Sequence, residues 1–194
     1  MQPLTTDRLA LRPFSLDDVE AAFAFFGDPE VMRFSLNGPH VSRKTTEDFI
    51  QTNISRQARL GFSIWAVIER GSGSLIGMCG LAGFGHGVSG IELAYRLRRD
   101  RWGRGYATEA GQIAVRHAFG PLGLDRLIAA VERENTPSIH VLEKCEFVFV
   151  EDREIAGKDA LVYERLPPTG PHPSTISGGG PHAEPVEARG PIAD

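Results

Sequence analysis

The segment Arg101-Trp102-Gly103-Arg104-Gly105-Tyr106-Ala107-Thr108 carries residue types that can bind an oxyanion. Gly103 and Gly105 lack Cβ, so an anion can approach the main chain closely. The segment lies between a strand-like run ending at Leu97 and a helical run rich in small residues, Ala107, Ala110, Gly111, Ala114 and Ala118. A turn in that position aims unpaired backbone N–H groups and the positive end of a helix at one spot. Arg96, Arg98, Arg99, Arg101 and Arg104, offset by Asp100 alone, leave a local charge of +4, which favours a diphosphate ligand. On these residues alone two readings stand side by side: a diphosphate site, or a tight strand-to-helix turn with solvated arginines.

Other candidate motifs fail on context. Gly85-His86-Gly87-Val88-Ser89-Gly90 matches GxGxxG, but a dinucleotide fingerprint must lead from a strand into a helix. Here the strand-like IELAYRL follows, which makes the match a hairpin loop. No GxxxxGK[ST] occurs, removing the P-loop. His40, His86, His117 and His140 show no metal-ligand spacing, and no metal is expected. Cys79 and Cys145 are too few for a disulfide framework and too far apart for a zinc or redox pair. Both read as small core residues.

The elements that must position the arginine-glycine turn follow from changes in hydrophobic period. Leu9, Leu11 and Pro13 alternate with polar neighbours as a first strand. Ser15 then caps a helix whose face is Val19, Ala22, Phe23 and Phe26, and Asp28-Pro29 stops it. A second helix runs from about Lys44 to Arg59 and ends at Gly61. Strands are expected at Phe62 to Glu69, Leu75 to Phe84 and Ile91 to Leu97, with short connections that imply antiparallel hairpins. After these come a helix from Gly105 to Phe119, a strand from Arg126 to Val131, and a helix from Pro137 to Lys144, with Thr136 as its cap. Phe147 to Ile155 and Ala160 to Leu166 close the domain. Hairpin strands joined to crossover helices predict an α+β, or mixed α/β, domain: a mixed sheet of about seven strands with helices on both faces.

Composition sets the outer limits. The chain has 194 residues with 41% hydrophobic and 24% charged residues and a formal net charge of -4, an ordinary globular balance for one domain plus an appendage. No run approaches the roughly 20 apolar residues of a membrane helix. The N-terminus has no basic patch leading into an apolar core, so the cytoplasm is the default compartment. A pI near 5.9 argues against general nucleic-acid binding. Beyond Leu166 the character changes: Pro167, Pro168, Pro171, Pro173, Pro181, Pro185 and Pro191 are seven of the chain's 13 prolines. That segment, 167–194, cannot bury enough apolar surface to offset the entropy of ordering and reads as a disordered tail after a domain at 1–166.

The turn also carries a resemblance. Trp102 to Ala107 resembles the pyrophosphate motif [QR]xxGx[GA] of the GNAT acetyltransferases, with Gly105 and Ala107 on its two small positions. The string RWGRGYATEA is similar to the ribosomal-protein alanine N-acetyltransferase branch, where a Trp at that first position is typical. TDRLALRPF, GIELAYRL and Asn135-Thr136-Pro137-Ser138 leading to Val141-Leu142-Glu143-Lys144 add matches in the family's order, from residue 5 to about 166. The resemblance implies acetyl-CoA as cosubstrate and a sheet whose fourth and fifth strands, Glu92 to Leu97 and Leu127 to Val131, splay to admit the pantetheine arm by strand-like addition. It implies cofactor contacts at Tyr95, Leu97, Trp102, Gly103, Arg104, Gly105, Tyr106, Ala107, Thr108, Asn135 and Lys144.

By the same resemblance the reaction is direct acetyl transfer to an amine in a ternary complex. Glu92 is the implied base, with a surface carboxylate paired to arginine as the alternative, and backbone N–H groups near Tyr95 are the oxyanion donors. Leu142 stands where many members have a tyrosine acid, which leaves Ser138 beside the CoA sulfur or, alternatively, merely capping its helix. Lys144-Cys145-Glu146-Phe147 departs from the family's Lys-x-Gly-Phe; a left-handed Glu146 would cost roughly 1 to 2 kcal/mol. Asp28, Glu30, Met32 and the loop from Phe34 to Ser42 are expected to flank the acceptor. A protein N-terminal α-amino group is the expected acceptor, with a small amine or amino acid as the alternative. A non-catalytic CoA-binding module and an arginine-mediated nucleic-acid binder are the rival classes. A monomer or homodimer fits either way.

Overall fold

In the computed structural model, which describes residues 2–83 and 90–168, eight strands form one sheet. They are β1 (Leu4–Thr5), β2 (Leu9–Pro13), β3 (Ile64–Glu69), β4 (Ser74–Gly83), β5 (Ile91–Leu97), β6 (Leu127–Glu132), β7 (Val148–Ile155) and β8 (Lys158–Arg165). The helices are α1 (Val19–Phe26), α2 (Arg43–Leu60), α3 (Tyr106–Phe119) and α4 (Thr136–Lys144). The spatial order is β1-β2-β3-β4-β5-β6-β8-β7. Every pairing is antiparallel except β5 with β6. The mixed α/β architecture matches the pattern of periods, with the two-residue β1 added at the edge of the about seven strands expected.

Side-chain alternation along the strands divides the core in two. Trp65, Val67, Ile76 and Leu81 face α3 and α4, packing against Ala110, Ala114 and Leu142. Ile64, Ala66 and Met78 face the other way and meet Phe25, Phe26 and Ile50 of α1 and α2. The small residues of α3 let it lie close to the sheet, which brings its N-terminus to the end of β5.

Helix ends follow local chemistry. The Ser42 hydroxyl accepts the Thr45 N–H at 3.2 Å, and Gly61 closes α2 with φ 79°. Ser15 begins the next helical segment as expected, but its first three residues form a 3-10 turn, Leu16–Asp18, before α1. Asp18 holds that turn: its carboxylate accepts the Ser15 N–H at 2.8 Å and two 2.7 Å bonds from the Arg12 guanidinium. Burial opposes ionisation there, yet Arg12 and Ser15 keep the carboxyl below its ordinary range. The cap of α4 is Asn135 rather than Thr136. Its side-chain oxygen accepts the Ser138 N–H at 3.3 Å, satisfying a donor that the first helical turn leaves open.

Glu146 has φ 63°, so the left-handed turn after α4 survives without glycine. The Phe147 N–H reaches Leu142 O at 3.0 Å and the Glu146 N–H reaches Glu143 O at 2.9 Å, the two bonds of a Schellman motif. Phe147 and Leu142 are both buried in the same cluster, which ties the turn to the core.

The GxGxxG match falls mostly on 84–89, with His86 and the end of the strand expected to reach Phe84, and the tail expected at 167–194 falls mostly on 169–194. These segments lie outside the described residues. Among the described residues no helix is long and apolar enough to cross a membrane.

Candidate active site

β5 and β6 share a single register pair, Glu92 with Ile128, and then separate. Between them opens a cleft of about 830 Å³, bounded by Tyr95, Ala130, Gly105 and Ser138. Its walls are backbone whose direction can be worked out. Arg98 donates its N–H to Ile76 O at 2.8 Å, so the alternation of an antiparallel ladder turns the amides of Ala94 and Arg96 to β4 and those of Tyr95 and Leu97 to the cleft. On the other side, Arg133 donates to Asp159 O at 3.3 Å, and the same alternation leaves the Ala130 N–H facing β5. Among the described residues, the Tyr95 and Leu97 N–H groups therefore face the cleft without a main-chain partner, as strand-like addition of an amide-bearing arm requires.

The arginine-glycine turn sits at the far end of this cleft. Gly103 and Gly105 take φ 71° and 76°, and Gly105 caps α3. A Cβ at Gly103 would meet nothing within 4 Å, and one at Gly105 only the Arg8 guanidinium at 3.6 Å. Space thus lies open before the N–H groups at the start of α3. The Trp102 indole, 47% exposed, donates to Leu97 O at 2.8 Å, so that carbonyl is already occupied while the Leu97 N–H remains available.

The arginines are less free than their number implies. Arg98 pairs with Asp100 at 3.2 Å, and Arg101 bonds to Asp100 at 2.5 Å and Glu69 at 3.3 Å. The Tyr106 hydroxyl donates to Glu69 at 2.8 Å. Hydrogen bonds from Ser72 and Tyr106, with Arg101 nearby, push the Glu69 carboxyl down to about 2. Arg8, in the bend just before β2, braces the turn, donating to Arg104 O at 3.0 Å while its guanidinium lies over the Tyr106 ring at 4.5 Å. Glu69 comes from β3 and Arg8 from the bend before β2, so neither was readable from the turn.

Glu92 lies where the two strands part, with its carboxylate accepting the Ala130 N–H. Burial raises its pKa to about 7, against the pull of Arg96 and that hydrogen bond. Glu92, Ala94 and Arg96 share one face, opposite the loop between α1 and α2, whose Glu30, Phe34 and Leu36 line the same cleft. Tyr95 faces the other way, toward α4. Its hydroxyl is 2.8 Å from Ser138 Oγ and donates to Ser138 O at 3.0 Å. Burial raises the Tyr95 pKa, so the phenol stays protonated and able to donate. The structure thus brings a phenol to Ser138 from β5, although Leu142, fully buried in the core, excludes one from α4. The alternation at 93, 95 and 97 contained that signal, but only the packing of α4 shows its target.

The remaining expected residues divide. Ala107 and Thr108 line the cleft in the first turn of α3. Asn135 lines it too, although its side chain serves as the α4 cap. Lys144 lies at its rim with an exposed side chain. Asp28 and Met32 do not line it: Met32 is buried beneath the loop. No group of three or more His, Cys, Asp or Glu residues able to hold a metal ion occurs among the described residues.

A parted parallel strand pair, cleft-facing amides in the gap and a glycine turn opening a helix form a cleft with the geometry to take a long amide-bearing molecule. The chain belongs to the GNAT acetyltransferases: residues 8–148 match the family model described as an acetyltransferase (GNAT) domain. It is similar to an uncharacterised N-acetyltransferase, p20, of Bacillus licheniformis, with 33% identity over 147 residues covering 76% of this chain and 83% of that protein. The crystal structure of a GNAT-family acetyltransferase from Bacillus anthracis superposes with TM-score 0.74 at 25% identity, covering 85% of this chain and 98% of that one. A ribosomal L7/L12 α-N-protein acetyltransferase in complex with coenzyme A has the same fold, at TM-score 0.74 and 18% identity, over 85% of this chain and 98% of its own. The protein is an N-acetyltransferase of the GNAT type with acetyl-CoA as its cosubstrate.

Proposed function

We propose that the protein acetylates an α-amino group at a peptide or protein N-terminus, in a ternary complex, with Glu92 as the base. The observation that carries this reading is the Glu92 carboxyl, raised to about 7 by burial at the mouth of the β5–β6 gap. A base poised there can take the proton of an α-ammonium group, whose pKa is about 7.7 to 8.0, far more readily than that of a lysine near 10.4. The resemblance of Trp102 to Ala110 to the ribosomal-protein alanine N-acetyltransferase branch supports the same acceptor class. Acetyl-CoA supplies the acetyl group as a thioester.

The chain's own residues do the rest. Gly103 and Gly105, with the first amides of α3, hold the diphosphate. Cleft-facing main-chain groups of β5 hold the pantetheine arm. The Tyr95 N–H, turned into the cleft, stabilises charge developing on the carbonyl oxygen, an effect typically worth 10² to 10³ in rate. The Ser138 hydroxyl, oriented by the Tyr95 phenol 2.8 Å away, offers a hydrogen bond to the departing sulfur. Positioning of two substrates can supply roughly 7 to 11 kcal/mol, more than either proton transfer. In this reading residues 1–166 carry the whole activity and 167–194 are an appendage, so a chain ending at Leu166 keeps its turnover.

The test is incubation with acetyl-CoA and a panel of N-terminal peptides, amino acids and amines, following free thiol. Turnover with N-terminal peptides and none with lysine side chains or polyamines is the expected pattern. Saturable CoA binding with no acceptor in any class would instead favour a non-catalytic binding module.

A further inference from the structure

On the acceptor side of the cleft, the guanidinium of Arg96 has no hydrogen-bond or ion-pair partner among the described residues. Arg96 lies on β5 in register with Met78 and is partly buried. Together with Glu92 it lines the cleft opposite Phe34 and Leu36. Among the described residues it forms no hydrogen bond and no ion pair, whereas its neighbours in the arginine-rich run, Arg98 and Arg101, are both bonded to Asp100. Its five N–H donors, held in a fixed fork, thus have no acceptor among the described residues.

The charges around it are few. Glu92 attracts Arg96 across four residues of strand, at more than ion-pair distance. His40, on the loop opposite, feels Arg96 as a repelling charge. That imidazole is fixed, stacked on Phe26 with ring centroids 4.5 Å apart and hydrogen-bonded to Thr46 at 2.9 Å. Glu30 is exposed at the mouth, and Arg33 lies over the Phe34 ring at 5.1 Å. The local pattern is a base with a planar cation beyond it that makes no ion pair among the described residues. A guanidinium fork matches a carboxylate in two parallel hydrogen bonds.

We infer that Arg96 selects acceptors in which a carboxylate lies beside the amine to be acetylated. The inference rests on the proposed reading of Glu92 as the base for an α-amine. The carboxylate comes either from an acidic side chain next to the N-terminus or from the main chain of a free amino acid; in both, the amine meets Glu92 while the anion meets Arg96. Polyamines, which bring only positive charge, are excluded by the same residue.

The experiment compares kcat/KM for dipeptide amides that differ only at the second residue, Asp against Asn, with free amino acids, their amides and spermidine as further arms. The wild type is expected to prefer the Asp dipeptide by about ten- to hundredfold, the range of a hydrogen bond to a charged group. In Arg96→Gln that ratio falls to about one, and in Arg96→Lys part of it returns. Turnover of free amino acids but not their amides supports the Arg96 role with a main-chain carboxylate, while removing the protein N-terminus as acceptor. Equal use of Asp and Asn dipeptides by the wild type, an unchanged ratio in Arg96→Gln, or preferred acetylation of spermidine would overturn the inference. The wild-type comparison needs no variant to fold. Absence of turnover in every arm would refute the acceptor reading itself, a different outcome from turnover without preference.

Discussion

Replacing Glu92 by glutamine should make the protein slower and more stable together. Glutamine keeps the shape and an oxygen to accept the Ala130 N–H, but it never ionises. In the wild type burial lifts the carboxyl from 4.5 to about 7. The folded state thus binds this proton more tightly than the unfolded state. Its contribution is fully present below pH 4.5, declines as pH rises toward 7, and stays lost above that. At about 1.4 kcal/mol per tenfold change in proton affinity, the loss is on the order of 3 kcal/mol. For a chain of this length 1 kcal/mol moves Tm by about 2–4 °C. The Tm of Glu92→Gln should therefore match the wild type near pH 4.5 and exceed it by up to about 6–12 °C at pH 8. Thiol release should fall by 10² or more. The wild-type kcat/KM should rise tenfold per pH unit below about 7 and level off above it, while the variant loses that limb. A variant with wild-type rate at pH 7, or a Tm difference that does not grow with pH, would refute the argument.

Three further predictions concern other parts of the site and its frame. Ser138→Ala and Tyr95→Phe should each lower kcat, with the double variant little worse than either single one, because the two hydroxyls act as a unit 2.8 Å apart; additive losses in stopped-flow turnover would separate them. Gly105→Glu should abolish CoA binding in isothermal titration, since its side chain would enter the space before α3 and its φ of 76° penalises any Cβ; retained affinity in a folded variant would remove the phosphate from this turn. Glu146→Gly should relieve roughly 1 to 2 kcal/mol of left-handed strain, less up to about 1 kcal/mol each for glycine's unfolded-state entropy and the lost Arg165 ion pair. Denaturant titration should show a net gain of about 0–1 kcal/mol, and a loss above 1 kcal/mol would count against the strain.

What could be read from the chain was whatever depends on local pattern. The helical pattern from about Lys44 to Arg59, stopped by Gly61, bounds α2 within a residue at each end, whereas its Ser42 cap came from the structure. The alternation along Ile91 to Leu97 assigned Glu92 and Tyr95 to opposite faces, and glycine chemistry marked the turn at 103–105. The strained Glu146 was visible as a departure from a family pattern, and its φ is 63°. Long-range partners were not legible. Nothing near Ser138 in sequence names Tyr95, 43 residues away, and nothing in the arginine-rich run announces that Glu69 and Arg8 hold it. Arg96 counted as one more positive charge until the sheet turned it away from the phosphate turn. The shift of the α4 cap from Thr136 to Asn135 shows the limit of propensity, because both residues are good caps and only the geometry around Pro137 chooses.

The two halves of the cleft are made of different material. One side is peptide backbone from β5, β6 and the start of α3; the other is side chains on one face of β5 and on the loop at 30–37. Exchanging residues in that loop can redraw which molecules are modified while the grip on the donor stays as it was. A scaffold divided in this way can change customers without relearning how to carry its cargo.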